Sequence, residues 1–407
     1  VASSLAAGVA TRRFHARVGS RRWVASLAAL TGTTALSIDM SLPAQPTLSA
    51  VFGVDRATAQ LTLGLFLAGF AAGQLVAGFL SDAFGRRRVL LAGLALFTAA
   101  GVACALAPSI EILLAARVVQ GLGSAASPVI ARAMVRDTQP AAGAARVLST
   151  IMAVLALAPM LAPAIGSALL GAFAWQAIFA MLAVIGVAWS ALAALTMPET
   201  LPPARRVPLA WAAMIGSFAR FFRAPGTTAP TVLVCLSFAG QFAFIASSPF
   251  LLIEGFGVSP RAFSAYFGAT AAALMLGSMT GRRLLHRAPP ARVLSLGALT
   301  LCAGGVLVAI GVHLPGLAQL GLVAPALVYF FGVGLTSPSG TAIAMQPVPD
   351  IAGAASAMIG ALTMLAGALS GYLTTHLGER DPRPLGAVMC VMGGLAAAIL
   401  VAWRRRA

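Results

Sequence analysis

The chain alternates between apolar runs of about twenty residues and short polar connections, the pattern of a helix that buries every face. Ala57 to Phe79 is almost free of charge and Val89 to Ala107 carries none. At about 1.5 Å per residue, each is long enough to cross a hydrocarbon layer about 30 Å thick. Between them lies Gly78-Phe79-Leu80-Ser81-Asp82-Ala83-Phe84-Gly85-Arg86-Arg87-Arg88, which reads as a loop at the membrane surface, with Gly85 permitting a tight reversal. The same pattern predicts spans near 23–42, 58–80, 89–107, 111–135, 145–171 and 174–197, then 230–253, 261–285, 291–312, 316–345, 351–377 and 384–403. The predicted fold is all-α and membrane-integral. It comprises an N-terminal segment (1–22), a six-helix half (23–197), a linker (198–229), a second six-helix half (230–403) and a short tail (404–407).

Composition places the chain in the same class: 59% hydrophobic, 9% charged, mean hydropathy +0.94. The net charge of +17 would suggest nucleic acid in a soluble protein, but here the basic residues sit in short loops and at the ends, which excludes that partner. Arginines at 86–88, 136, 146, 205–223, 282–292 and 404–406 share one side of a twelve-span topology, against only Arg56, Arg261, Arg380 and Arg383 on the other. The rule that basic loops stay inside makes the first side cytoplasmic and keeps both termini there. Five arginines precede the first span, and the run from Trp23 to Leu42 is too long for a signal-peptide core. All 27 basic residues are arginine, which with the alanine-rich spans suggests GC-rich codons and a bacterial inner membrane. Cys104, Cys235, Cys302 and Cys390 lie in apolar runs without metal-ligand spacing and read as packing residues.

The linker holds Pro202-Pro203, Arg205-Arg206 and an amphipathic piece with Trp211, Phe218, Phe221 and Phe222 among arginines, which suits the membrane surface. Two sets of six spans suggest a duplicated transporter architecture. A faint repeat agrees: Gly277-Ser278-Met279-Thr280-Gly281-Arg282-Arg283 stands after the eighth span as Gly78 to Arg88 stands after the second. Gly281 replaces Asp82 in that comparison, so the acid belongs to one half only.

The stretch Gly78-x-Leu80-Ser81-Asp82-x-x-Gly85-Arg86-Arg87 resembles the signature loop of the major facilitator superfamily, and the resemblance covers the whole chain. Asp39-Met40-x-Leu42-Pro43, Arg117-x-x-Gln120-Gly121 and Ala162-Pro163-x-x-Gly166-Ser167 narrow it to drug:proton antiporters of the bicyclomycin-resistance type, which include chloramphenicol and florfenicol exporters. The last motif departs from the antiporter pattern Gly-Pro-x-x-Gly-Gly at Ala162 and Ser167, both small enough for close helix packing. Some relatives carry a second acid two turns before Asp39, where this chain has Thr31.

A carboxylate within an apolar span is costly unless it faces a cavity or another helix, so Asp39 is the candidate proton-coupling acid. The rival reading is an interfacial acid near the outer surface, close to Pro43 and Pro46. Arg117 stays charged and cannot itself carry protons. The resemblance implies that it influences the protonation of a nearby acid, for which Asp39 is the candidate; the bland alternative is an arginine satisfying backbone carbonyls. The resemblance likewise implies that Asp82, beside Gly78, Gly85 and Arg86, docks the halves in an outward-open state against the start of span eleven near Ile351; Arg132, Arg136 and Asp137 at the end of span four are placed to complete that charge network, and the bland alternative is that Asp82 merely balances three arginines. Pro159 and Pro163, followed by Gly166, are expected to bend span five, with Pro249, Pro325 and Pro338 as further candidates.

Met40, Gln120, Gln241, Phe242, Phe244, Tyr266 and Tyr329, together with Asp39, are the candidate cavity wall, apolar and aromatic enough for lipophilic or amphiphilic compounds. Polyanions are disfavoured for want of buried basic groups, and no nucleotide-binding loop is present. The expected activity is proton-driven drug export by a monomer, with no cofactor, no metal and no enzymatic chemistry. A carrier of a small metabolite on the same fold is the alternative.

Overall fold

The structure, a computed structural model, describes residues 18–155, 157–209, 211–314, 318–378 and 381–405. Most of the predicted N-terminal segment, and the last two residues of the tail, lie outside them. All regular elements among the described residues are helical. Ten helices are long and apolar enough to cross a membrane: Arg56–Phe84, Arg86–Ala105, Ile110–Thr138, Gln176–Thr196, Thr228–Gly255, Pro260–Leu285, Pro290–Gly311, Gln319–Met345, Pro349–Gly378 and Arg383–Arg404. Spans one and five complete the twelve as broken helices, Arg21–Thr31 with Thr33–Asp39 and Ala141–Leu155 with Ala158–Ala172.

Span one begins at Ser20, whose hydroxyl accepts from the Trp23 amide. It breaks at Gly32 and again after Asp39. The expectation that it ends at Pro43 is corrected, because proline is well tolerated in the first turn of a helix. Pro43 and Pro46 each open a new helical piece, Leu42–Ala44 and Gln45–Phe52, and the path ends only at Gly53, left-handed at φ 63°. Asp39 therefore sits at a kink inside the span. In span five Pro159 opens the second piece and Pro163 lies within it. Pro249 is followed by a turn of π-helix, Phe250–Gly255, while Pro325 and Pro338 leave the helix Ala318–Met345 unbroken.

Glycines set how close the spans come. A Cβ on Gly69 of span two would lie 2.1 Å from the Val118 carbonyl of span four, and one on Gly121 would lie 2.1 Å from the Phe66 carbonyl. Span eight meets span ten through the same reciprocal notch, with Gly277 against the Phe331 carbonyl at 2.1 Å and Gly334 against that of Leu274 at 2.3 Å. The duplication is thus plainer in the packing than in the loops. Span five reaches span one the same way: Gly166 faces the Met40 carbonyl at 2.1 Å. Contacts of this kind are how helices associate where water supplies no hydrophobic drive.

The linker helix, Trp211–Arg223, is docked as well as amphipathic. Phe221 is buried among Val348, Ile351 and Met358, Phe218 meets Phe79 edge-on at 6.3 Å, and Arg220 pairs with Asp350 at 2.9 Å. Ile215 and Phe222 remain exposed.

Gly166→Ala is expected to destabilise the protein by about 1–3 kcal/mol, the usual cost of overpacking against a neighbour that cannot yield. Gly171→Ala, in the same helix with nothing within 4 Å of its Cβ position, serves as the control and should be neutral or mildly stabilising. Melting temperatures in one detergent check both.

Candidate transport site

Arg117 is fully buried and is held entirely by neutral groups. Its Nε donates to the Thr62 carbonyl at 2.8 Å, Nη1 to Gln120 Oε1 at 2.7 Å and Nη2 to the Ser37 carbonyl at 3.3 Å. The guanidinium lies over the Phe66 ring at 4.3 Å and faces Phe179 at 5.6 Å. Thr62 also holds Gln45 through its hydroxyl at 3.0 Å. One cation thereby ties spans one, two and four.

Asp39, two residues beyond Ser37, is 6% exposed and has no side-chain hydrogen bond or ion pair among the described residues. Asp39 and Arg117 form no ion pair; Arg117 reaches span one through the Ser37 carbonyl. The structure makes Arg117 the carbonyl-satisfying arginine of the bland alternative. Gln45–Phe52 carries the helical path on beyond Asp39.

Most of the expected cavity wall is core in this conformation. Met40 is fully buried in the first half, and Gln120 is committed to Arg117. Phe242 stacks on Phe238 at 5.8 Å, Phe244 meets Phe330 at 5.5 Å, and Tyr329 donates to the Leu236 carbonyl at 3.4 Å above Gly240. Tyr266 accepts from Gln319 at 2.8 Å, and Gln241 is buried. Apolar content alone cannot tell a wall from a core.

At the arginine-rich face, Arg86 is buried between two acids: it pairs with Asp82 and, at 2.9 Å, with Asp137, and it donates to Ser81 at 2.7 Å. Glu199, just past span six, accepts from the Arg86 and Arg87 amides at 2.9 and 3.3 Å and so caps span three. Gly85 has two reasons to be glycine, its φ of 100° and a Glu199 oxygen 2.5 Å from where a Cβ would stand. Glu199 was missed in the sequence, although an acid directly after Pro198 at the arginine-rich end of span six was a usable signal.

Asp82 and the start of span eleven line one cavity of about 260 Å³, with Gln74, Arg136 and Asp350. In this conformation Asp82 pairs with Arg86, and Asp350 pairs with the linker's Arg220. Arg136 comes nearer, its guanidinium 3.6 Å from the Cβ position of Gly353. Arg132 forms no ion pair among the described residues. Gly78 is loosely packed, with Val129 at 3.9 Å from its Cβ position.

At the opposite face the halves are joined. Arg56 of span two pairs with Glu254 after span seven and lies over Phe250 at 5.9 Å. Ser167 donates to the Pro260 carbonyl at 2.9 Å and shares a hydrogen bond with Ser264 at 2.9 Å. The conformation is therefore closed on the arginine-poor side. Ser167, one of the two departures from the antiporter motif, is part of that closure.

The chain and its fold have clear relatives. The chain is 34% identical over 89% of its length to an uncharacterized MFS-type transporter, YdgK, of Bacillus subtilis, covering 90% of that protein. It is 30% identical to the multidrug resistance protein MdtL of Escherichia coli, over 89% of each chain. A bicyclomycin resistance protein homolog of Haemophilus influenzae is 28% identical, over 89% of this chain and 91% of that one. Among solved structures, a D-xylose–proton symporter superposes with a TM-score of 0.72 at 18% identity, over 94% of this chain and 97% of that one, a likeness of fold alone. The Major Facilitator Superfamily model matches residues 27–371, and with the twelve-span packing around Arg117 this chain belongs to that superfamily of membrane transporters.

Proposed function

We propose that the protein is a proton-coupled antiporter that exports small lipophilic or amphiphilic compounds across a bacterial inner membrane, as a monomer with both termini in the cytoplasm. The observation that carries the reading is the Asp39 carboxylate, buried and unpartnered at a kink of span one. An ionised acid there has no neighbour to repay its desolvation, so its charge depends on whether water or cargo reaches it. That is the property a coupling site needs: protonation and occupancy become linked. The similarity to proteins named for multidrug and bicyclomycin resistance supports a drug as the cargo.

In this scheme Arg117 is a permanent counter-field, fixed by carbonyls, against which Asp39 gains and loses its proton. The closed arginine-poor side and the cavity at the arginine-rich side suit a carrier that opens toward one face at a time. With the arginine-rich side cytoplasmic, the conformation is closed to the exterior. Asp82, Arg86, Asp137 and Glu199 set the balance from within the first half.

Two measurements test this. In proteoliposomes carrying a pH-sensitive dye, adding lipophilic drugs to wild type should release protons. Asp39→Asn should cut that flux by about tenfold or more while drug binding persists, as expected when a sole titrating carboxylate is removed. Equal proton movement in both proteins would assign coupling elsewhere, and none with any drug would favour a metabolite carrier. Glu199→Gln keeps hydrogen-bonding capacity but removes the charge at the start of span three, and should cost about 0.3–1 kcal/mol, read as a small fall in melting temperature.

A further inference from the structure

Span two and span eleven, one from each half, pack along most of their length. Two glutamines of span two lie in that seam. Gln60 is fully buried and neither its Oε1 nor its Nε2 has a hydrogen-bond partner. Gln74 is 7% exposed, with Oε1 unpartnered. The interval between them is close to four helical turns, so they share one face of the helix. Each is received by a glycine of span eleven: a Cβ on Gly371 would stand 2.8 Å from Gln60 Nε2, and one on Gly360 would stand 2.4 Å from Gln74 Oε1. Ser370, next to Gly371, has an unpartnered buried hydroxyl as well. Gln74 also lines the cavity at the arginine-rich face.

Buried amides without partners are costly, and leucine or methionine would fill such notches without that cost. A polar group kept in a seam that must part has a use when the seam is open. We propose that Gln60 and Gln74 are hydrogen-bonding stations of the transport route, one toward each face, which select compounds bearing neutral amide, hydroxyl or carbonyl groups. The proposal rests on the export reading for its cargo. A primary amide both donates and accepts, so each station serves neutral groups of either polarity, a task that charged Asp39 and fully committed Arg117 do not share. Between them lies a rise of about 21 Å along span two, so a compound that leaves one station moves toward the other as the halves rock.

The test compares chloramphenicol, which carries an amide and hydroxyls, with tetraphenylphosphonium, which has no hydrogen-bonding group. Gln60→Met and Gln74→Met preserve side-chain bulk. Each should lower kcat/KM for chloramphenicol by about tenfold, the scale of one lost hydrogen bond, while tetraphenylphosphonium changes by less than about twofold. Equal losses for both compounds, or no loss for either, overturn the proposal. Site accessibility supplies a readout independent of cargo. A membrane-impermeant maleimide should label Gln60→Cys from the arginine-poor side and Gln74→Cys from the arginine-rich side, above the wild-type blank. If wild type carries neither compound, the drug-export reading fails on its own, and absence of labelling at both positions then overturns the stations too.

Discussion

A guanidinium cannot shed its proton in a membrane protein's interior, so the first half is built around satisfying Arg117. The solution uses two backbone carbonyls, one side-chain amide and two aromatic faces, drawn from spans one, two, four and six. Helix carbonyls already accept from within their own helix, so using the second lone pair costs little structure. It does require the helices to come close. The notches at Gly69, Gly121 and Gly166 provide that approach, and the Thr62 and Ser37 carbonyls reach the cation because the spans carrying them are drawn in. Charge satisfaction and close packing are in this sense one constraint.

Freeing Arg117 from any acid leaves Asp39 uncommitted. Had the two formed an ion pair, breaking it to protonate the acid would cost the desolvation of both partners. Here the cation is satisfied by neutral groups, and the acid stands apart from it. The other charges follow a different rule: Arg86 with its two acids, and Arg56 with Glu254, are paired with opposite charges at the ends of spans.

Much of the architecture was legible because span length and arginine placement are local properties of the chain. Twelve spans could be read directly, as could the placing of Asp39 and Arg117 within spans and of Asp82 at a span end. The end of span one was misplaced because Pro43 can open a helical piece as readily as close one. Arg117's partners were hidden because backbone carbonyls have no residue signature. The aromatic residues are ambiguous for a third reason: Phe242, Phe244 and Tyr329 are as apolar in a core as beside a ligand, and in this conformation Tyr329 packs on Gly240 and Phe242 on Gly367. Gly360 and Gly371 of span eleven, which receive Gln74 and Gln60, carry no signal of that role in the sequence.

The notch glycines also bear on how such a chain can drift. Every amino acid one nucleotide away from a glycine codon carries a Cβ, and at Gly69, Gly121, Gly166 and Gly277 that atom would meet a carbonyl oxygen at 2.1 Å. No single-step replacement is free of the clash, so these positions have no gradual path to another residue. Variation is steered instead to the lipid-facing surface, where Leu161, Val184, Leu299 and Leu369 stand exposed and one aliphatic side chain serves as well as another. A lineage can therefore rewrite its outer coat extensively while its helix crossings stay where they were.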